Sequence, residues 1–177
     1  MMMSNHPDYP FALQQLNLHL TIRPVQLSDS KMLHTHLWQN REHNEIQDFI
    51  QRLLKFEVQK RGTGIVVLDN TTSSEMILAY GQVTQWVKCA EISDLFVHPT
   101  YRGQGIGTAM IQYLTHHALA IQVNCVELGV AISNQRALAL YRRLGFKDSY
   151  TLQLDLGQGT EPVLYLAIDL TPFFNPT

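Results

Sequence analysis

The chain has 177 residues, of which 45% are hydrophobic and 16% charged, and its formal net charge is −2 at neutral pH. This composition predicts one globular domain with a substantial core and excludes an intrinsically disordered chain. The small net charge gives no overall cationic surface for nucleic acid or anionic lipid, and we find no apolar run of the roughly 20 residues that span a bilayer. We therefore expect neither nucleic acid nor a membrane as a partner.

The first half of the chain predicts a tail, a strand, two helices and a hairpin. Residues 1–17 are predicted to form an N-terminal tail or extension, and residues 18–171 a single domain. Apolar alternation indicates strands, whereas apolar residues three and four apart indicate an amphipathic helix. The predicted elements are a strand over 18–25, helices over 31–38 and 45–60, and strands over 65–68 and 76–87.

The second half alternates strands with helices. The predicted elements are a strand over 91–97, a helix over 108–120, a strand over 124–130, a helix over 134–144, and strands over 146–154 and 163–170. Two of the connections between strands contain a helix, which favours helices on both faces of a sheet. The predicted fold class is therefore α/β, with a mixed, mostly antiparallel central sheet of about seven strands.

The strand over 91–97 carries an irregularity. Ile92, Leu95 and Val97 have the character of inward-facing residues, but the step from 92 to 95 breaks the period of two. One extra residue near Ser93 and Asp94 restores the period, as a β-bulge does. Such a bulge separates the strand from its neighbour and leaves backbone polar groups available to a ligand.

A glycine-rich turn follows this strand and precedes the next helix. Gly103, Gly105 and Gly107 allow the backbone to turn and to approach a ligand closely. The helix that follows presents unpaired N–H groups and the positive end of its dipole, which together favour a phosphate or pyrophosphate. Arg102 lies at the mouth of the turn, where a guanidinium can pair with phosphate oxygens.

A second motif lies further along the chain, at the start of the helix over 134–144. Asn134 is a good N-cap residue, and Tyr141 lies seven residues later, so that both side chains can face the same way. Tyr141 is either an ordinary half-buried aromatic residue or a phenol that donates a proton to a leaving group.

Together the two motifs resemble those of the GNAT superfamily of acyl-CoA-dependent N-acyltransferases. Arg102-Gly-Gln-Gly-Ile-Gly107 is similar to the superfamily's Arg/Gln-x-x-Gly-x-Gly/Ala signature, and Ser133-Asn134 through Tyr141 to Gly145-Phe146 is similar to its second motif. The resemblance implies that acetyl-CoA is a cosubstrate. The residues it implies for coenzyme A binding are Leu95, Phe96, Val97, Arg102, Gly103, Gln104, Gly105, Ile106, Gly107 and Asn134.

The resemblance also implies the chemistry, which is direct attack of an amine on acetyl-CoA. Tyr141 would be the general acid, and Glu91 occupies the strand position that supplies a glutamate base in some members. Asp94 and a water relay remain alternatives for the base, and each carboxylate can instead be a solvated residue at the rim. Gly129 stands where some relatives carry another glutamate.

The amine acceptor is the least determined part of the site. The resemblance implies a groove formed by the first two helices and the loop over 155–161, where Trp38, Glu42, His43 and Glu45 either line the groove or form a solvated helix junction. A small molecule, a peptide, and a protein lysine or N-terminus remain open as acceptors. The alternative function is an acyl-CoA-binding sensor without turnover, and the family resemblance also makes a homodimer an expectation.

The cysteines and histidines predict neither a metal site nor a nucleophile. Cys89 and Cys125 lie far apart in the sequence, and no secretory signal is evident, which predicts reduced thiols in a cytoplasmic protein. The pairs His34 with His36 and His116 with His117 lack the spacing of a zinc site. We therefore expect no metal.

Overall fold

The computed structural model describes residues 19–70, 76–155, 157 and 159–174. The predicted tail over 1–17 lies outside these residues. The strands are β1 (Leu20–Pro24), β2 (Gly62–Asp69), β3 (Met76–Gln85), β4 (Ala90–Val97), β5 (Cys125–Ala131), β6 (Lys147–Asp155) and β7 (Thr160–Asp169). The helices are α1 (Ser30–His36), α2 (His43–Val58), α3 (Ile106–Ala120) and α4 (Gln135–Arg143).

The strands form one seven-stranded sheet in the order β1-β2-β3-β4-β5-β7-β6. Every neighbouring pair is antiparallel except β4 and β5, which run parallel. The predicted mixed, mostly antiparallel sheet is therefore confirmed. Two cores lie on its two faces, and within the described ranges no helix is both long and apolar enough to cross a membrane.

The first core lies between α1, α2 and the strands β2 and β3. It consists of buried residues such as Leu33, Ile46 and Ile50 from the helices, packed against Tyr80 of β3. The second core lies on the other face, where α3 supplies Ile106, Met110, Ile111 and Leu114, and α4 supplies Leu138 and Tyr141. The period of α2 places its buried residues on one stripe, which is why the helix lies flat on the sheet.

The predicted bulge in β4 is present. Gln82 and Tyr80 of β3 pair with Ser93 and Phe96 of β4, so one intervening residue on β3 faces two on β4. The extra residue is accommodated at Asp94, whose φ of 51° lies in the left-handed region that few non-glycine residues adopt. The bulge bends β4 at this point, as expected from the broken period in the sequence.

β4 and β5 share only a short ladder. Ala90 pairs with Val126 and Glu91 pairs with Glu127, and no later residue of β4 pairs with β5 in the described chain. β5 instead continues its pairing with β7 up to Ala131. The sheet therefore opens into a fork between the two parallel strands, with the bulge on one arm.

The prediction of reduced thiols is wrong for this structure. Cys89 and Cys125 form a disulfide, with their Cα atoms 4.8 Å apart. The cysteines are 36 positions apart in the sequence, and the segment between them contains β4, α3 and the intervening turns, which return the chain to the same end of the sheet. The bond therefore closes the base of the fork, one residue before the short β4–β5 ladder begins.

Candidate active site

A cleft of about 780 Å³ opens beside the fork, between the end of β4, the glycine turn, the start of α3 and one side of α4. Its lining contains all of the predicted donor-binding residues except Gln104, which is exposed and outside the cleft. Those that line it are Leu95, Phe96, Val97, Arg102, Gly103, Gly105, Ile106, Gly107 and Asn134. The structure thus brings the two sequence motifs together on one surface.

The glycine turn directs the start of α3 toward the cleft. Gly103 and Gly105 have φ values of 83° and 85°, which glycine adopts without strain. Gly105 is the N-cap of α3 and offers no side chain to satisfy the first N–H groups of the helix. Those N–H groups and the positive end of the helix dipole therefore remain for an anionic ligand.

Three arginines line the cleft, and Arg102, the one predicted from the sequence, also contacts β4. Its Nε donates to the Val97 carbonyl at 3.0 Å, and its guanidinium lies 5.8 Å from the centre of the Phe96 ring, so the side chain braces the turn against β4. Arg136 and Arg143 of α4 also line the cleft. A Cβ on Gly103 would lie 3.2 Å from Arg136 Nη2, so the glycine leaves room for this guanidinium beside the turn.

Arg136 was not predicted from the sequence, although the sequence contains a signal for it. Arginine in the first turn of a helix is unfavourable because the positive end of the dipole lies there. Arg136 is the second residue after the Asn134 cap and lines the cleft, so its charge lies where an anionic ligand can pair with it.

Asn134 and Tyr141 lie on the same side of α4, as their spacing predicts. The Oδ1 atom of Asn134 accepts a hydrogen bond from the Ala137 backbone N–H at 3.1 Å, so the residue is the N-cap and its amide nitrogen remains for a ligand. Tyr141 is 9% exposed, and burial raises the pKa of its phenol. Among the described residues, its hydroxyl forms no hydrogen bond, which leaves it able to donate a proton into the cleft.

Glu91 does not line this cleft. Its neighbours Ala90 and Ile92 are buried against the α3 side, so Glu91 projects from the opposite face of the sheet. There its Oε2 accepts a hydrogen bond from Trp86 Nε1 at 3.1 Å. Glu91 is also the last residue of β4 that pairs with β5, which places it at the opening of the fork.

A second carboxylate, Glu127, accompanies Glu91 on that face. It accepts a hydrogen bond from Tyr150 Oη at 3.2 Å, and the Tyr150 and Tyr165 rings stack with their centres 4.8 Å apart. Burial first and the Glu127 charge second raise the pKa of Tyr150 to about 12. Burial, the two carboxylates and a hydrogen bond to Glu91 also raise the pKa of Tyr165.

Glu127 was not predicted as a site residue, whereas Gly129, two positions later on β5, was noted for its lack of a carboxylate. The alternation of buried residues in β5 places both on the same face. That alternation was visible in the sequence, but the pairing of β4 with β5 was not.

Asp94, the alternative base, lies at the bulge and is exposed. Its Oδ2 accepts a hydrogen bond from Gln82 Nε2 at 2.9 Å. The side chain is therefore held beside β3 by a neutral partner, and it projects from the bulge and not from the paired part of β4.

The residues proposed for the acceptor groove have structural partners. Trp38 is 9% exposed and packs edge-on against Phe49 and Tyr80, with ring centres 5.5 and 4.8 Å away. Glu42 and Glu45 form a reciprocal capping box at the start of α2. His43 Nε2 lies 3.2 Å from Ser30 Oγ, which favours the reading of these residues as a helix junction.

Histidines of the two pairs noted in the sequence have structural surroundings that account for them. His36 Nδ1 accepts a hydrogen bond from the Ile77 backbone N–H at 3.2 Å, which joins α1 to β3. Burial lowers the pKa of His36 and of His117. In the described part of the chain, no three side chains of histidine, cysteine, aspartate or glutamate are grouped as metal ligands.

Comparison of this chain with known sequences identifies the class of proteins to which its fold and cleft belong. A family model described as the acetyltransferase (GNAT) family matches residues 30–146. The chain belongs to this family.

Individual relatives agree with the family match. An aminoglycoside N(6′)-acetyltransferase type 1 of Acinetobacter baumannii is 29% identical over 141 residues, covering 73% of this chain and 92% of the relative. An uncharacterized N-acetyltransferase of Methanocaldococcus jannaschii is 44% identical over 59 residues, which are 33% of this chain and 26% of that protein. The chain thus spans about a quarter of that relative.

The fold has a close counterpart among solved structures. A ribosomal L7/L12 alpha-N-protein acetyltransferase in complex with coenzyme A has a TM-score of 0.74 at 15% identity, covering 88% of this chain and 96% of the other. This similarity shows that the two chains share a fold.

Proposed function

We propose that the protein transfers an acetyl group from acetyl-CoA to a primary amine by direct attack of the amine. The observation that carries the proposal is that one continuous cleft joins the start of α3, which suits an anion, to the hydroxyl of Tyr141. Acetyl-CoA has a matching arrangement, with a pyrophosphate at one end of an extended arm and a thioester at the other.

The donor binds by its pyrophosphate at the glycine turn. The N–H groups over 103–107 and the guanidiniums of Arg136 and Arg143 supply donors and positive charge there. The backbone over 95–97 forms the adjacent wall of the cleft, where the pantetheine arm pairs with it as an added strand would. Asn134 contributes its free amide nitrogen to the same arm.

The acid and the base reach the thioester from opposite faces of the sheet. The amine nitrogen attacks the thioester carbonyl and forms a C–N bond, and a backbone N–H beside the bulge stabilises the oxyanion. Glu91 accepts the proton that the amine loses, directly or through a water, with Asp94 as the alternative acceptor. The C–S bond then breaks, and Tyr141 donates its proton to the departing thiolate.

The acceptor is a cationic primary amine that approaches from the face of Glu91. Two carboxylates, Glu91 and Glu127, lie side by side there, and no described lysine or arginine forms an ion pair with either. Trp86 and Tyr150 are 52% and 42% exposed next to them. Carboxylates and aromatic faces both attract an ammonium group, which supports an acceptor that carries positive charge.

The decisive experiment measures thiol release from acetyl-CoA with a panel of monoamines, diamines, polyamines, aminoglycosides and peptides with a free N-terminus. We expect turnover with at least one amine that carries a second positive charge. Binding of acetyl-CoA without turnover on any amine would support the acyl-CoA sensor instead. Absence of acyl-CoA binding would contradict both functions.

The role of Glu91 is tested separately by Glu91→Gln. We expect a lower kcat that recovers partly as the pH rises, because more of the amine is then deprotonated without help from the base. Glu57→Gln is the matched control, since Glu57 lies on α2 and accepts a hydrogen bond from Thr63. Equal kcat values for Glu91→Gln and the wild type would move the role to Asp94 or to a water relay.

A further inference from the structure

Gln82 of β3 lies directly across from the bulge and uses its whole amide group there. It pairs in register with Ser93, the last residue before the extra residue of β4. Its Nε2 donates to Ser93 Oγ at 3.1 Å and to Asp94 Oδ2 at 2.9 Å. Its Oε1 accepts a hydrogen bond from Tyr80 Oη at 3.1 Å. Both amide hydrogens and the carbonyl oxygen therefore have partners.

The Gln82 side chain holds β4 in register at the bulge, where the backbone ladder does not. Where two residues of β4 face one of β3, a ladder hydrogen bond is lost and the strand is free to slip. Asp94 also holds a left-handed φ of 51°, a conformation that is unfavourable for a residue with a side chain. The hydrogen bonds from Gln82 hold Ser93, the last residue in register before the bulge, and Asp94, the residue at the bulge.

The other end of this network is anchored in the first core. Tyr80 is fully buried, and its ring contacts Trp38 and Phe49, with ring centres 4.8 and 5.9 Å away. Burial and the Asp94 charge raise the pKa of Tyr80, so its hydroxyl stays protonated and donates to Gln82. The position of the bulge is thus tied to α2 and to the segment that follows α1, and not only to the sheet.

We propose that Gln82 is a positioning residue for acyl transfer. By holding Ser93 and Asp94, it fixes the bulge and thereby the backbone over 95–97 that lines the cleft. This inference rests on the proposed function for its effect on acyl-CoA, but its effect on the backbone is independent of any ligand. It assigns no contact between Gln82 and the substrate.

The test uses Gln82→Met, which keeps the length of the side chain and removes its hydrogen bonds. We expect hydrogen exchange of the amides over 93–97 to become at least about tenfold faster in the free protein. We also expect the Kd for acetyl-CoA to rise about tenfold and kcat to fall, with the KM for the amine unchanged. Gln85→Met, on the same strand, is the matched control and should leave all of these values unchanged.

A second substitution supplies the rescue. Glycine adopts a φ of 51° without strain, so Asp94→Gly should let the bulge form without the hydrogen bonds from Gln82. In the Gln82→Met background it should restore slow exchange and the wild-type Kd for acetyl-CoA, and turnover is not used as the readout here. Gln82→Asn, which shortens the reach of the amide by one methylene, should reproduce the defect if Gln82→Met does not fold.

The outcomes separate this inference from the proposed function. Wild-type exchange rates in Gln82→Met and Gln82→Asn would overturn the positioning role, whatever the ligand. Failure of the wild type to bind acetyl-CoA would overturn the proposed function, while the exchange rates would still decide the role of Gln82.

Discussion

Glu91 and Glu127 occupy the last register position that β4 and β5 share, and the two strands separate beyond it. The pair lies at the opening of a fork whose other face leads to the cleft and to Tyr141. Groups on the two faces of the sheet therefore converge on the gap between the strands. Under the proposed function, the donor and the acceptor would enter from different sides and meet where the ladder ends.

The glycine turn is tested by Gly105→Glu. At a concentration of about 100 times its Kd, acetyl-CoA should raise the stability of the wild type by about 2.7 kcal/mol. The variant should lose this rise, since a carboxylate would occupy the anion site and Gly105 has a φ of 85°. Gly157→Glu is the control, because Gly157 also has a positive φ and has open space around it. Thermal melts with and without acetyl-CoA provide the measurement, and a retained rise would refute the anion site.

Arg136 is tested by Arg136→Ala. A charge-assisted hydrogen bond contributes about 1.5–3 kcal/mol, so the Kd for acetyl-CoA should rise about tenfold or more. Added salt should weaken binding by the wild type more than by the variant. Arg142→Ala is the control on the same helix, since Arg142 is paired with Asp148 at 2.7 Å and does not line the cleft. Titration calorimetry at two salt concentrations measures the Kd of both variants. An equal rise in Kd for Arg136→Ala and Arg142→Ala would contradict a specific role for Arg136.

Tyr141→Phe should lower kcat by about 100-fold and leave the Kd for acetyl-CoA unchanged, since only the proton donor is removed. Tyr113→Phe provides the comparison, because Tyr113 lies on α3, outside the cleft, and its pKa is also raised by burial. Steady-state kinetics with direct binding of acetyl-CoA separates the two parameters. An unchanged kcat in Tyr141→Phe would remove the assigned role.

The disulfide is tested by reduction. A bond between cysteines 36 positions apart in the sequence should contribute about 3–4 kcal/mol to the free energy of unfolding. Urea unfolding should therefore show a lower midpoint in the presence of dithiothreitol. In Cys89→Ser with Cys125→Ser the midpoint should be low from the start and insensitive to the reductant. Identical midpoints for the oxidised and reduced wild type would contradict this expectation.

Stability should fall above pH 10. The pKa values of Tyr80, Tyr141, Tyr150 and Tyr165 are all raised in the folded protein, that of Tyr150 to about 12. Between the unfolded value near 10 and the folded values, the folded chain binds more protons than the unfolded one. The free energy of unfolding therefore decreases as the pH rises through this window. Thermal melts from pH 8 to about 12 with tyrosinate absorbance as a second probe would check it, and a constant melting temperature would argue against buried phenols.

Local patterns were sufficient to predict much of the fold. The period of α2, the alternation in the strands and the single break in β4 each depend on neighbouring residues, and each appears where the sequence places it. The cleft was predicted for the same reason, because the glycine turn and the Asn134 cap are continuous segments. Its lining confirms that these segments meet, although the roles of the individual residues stay predictions.

Features that depend on distant pairing could not be predicted in the same way. Glu127 gains significance only from its register with Glu91, and Cys89 meets Cys125 only because α3 returns the chain to the same end of the sheet. Trp38 was considered for the acceptor groove because the resemblance places that groove at the first two helices, and the sequence does not show which strand covers this residue. The ring contacts with Tyr80 supply that missing information.

The fork divides the hydrogen-bonded ladder into two units. β1 to β4 form one antiparallel ladder, and β5, β7 and β6 form the other, with two register pairs and one disulfide between them. The cleft takes its walls from both units, since β4 and α3 belong to the first and α4 to the second. A donor bound there, as proposed, would contact both units, which are otherwise joined by the two register pairs, the disulfide and the core beneath α3.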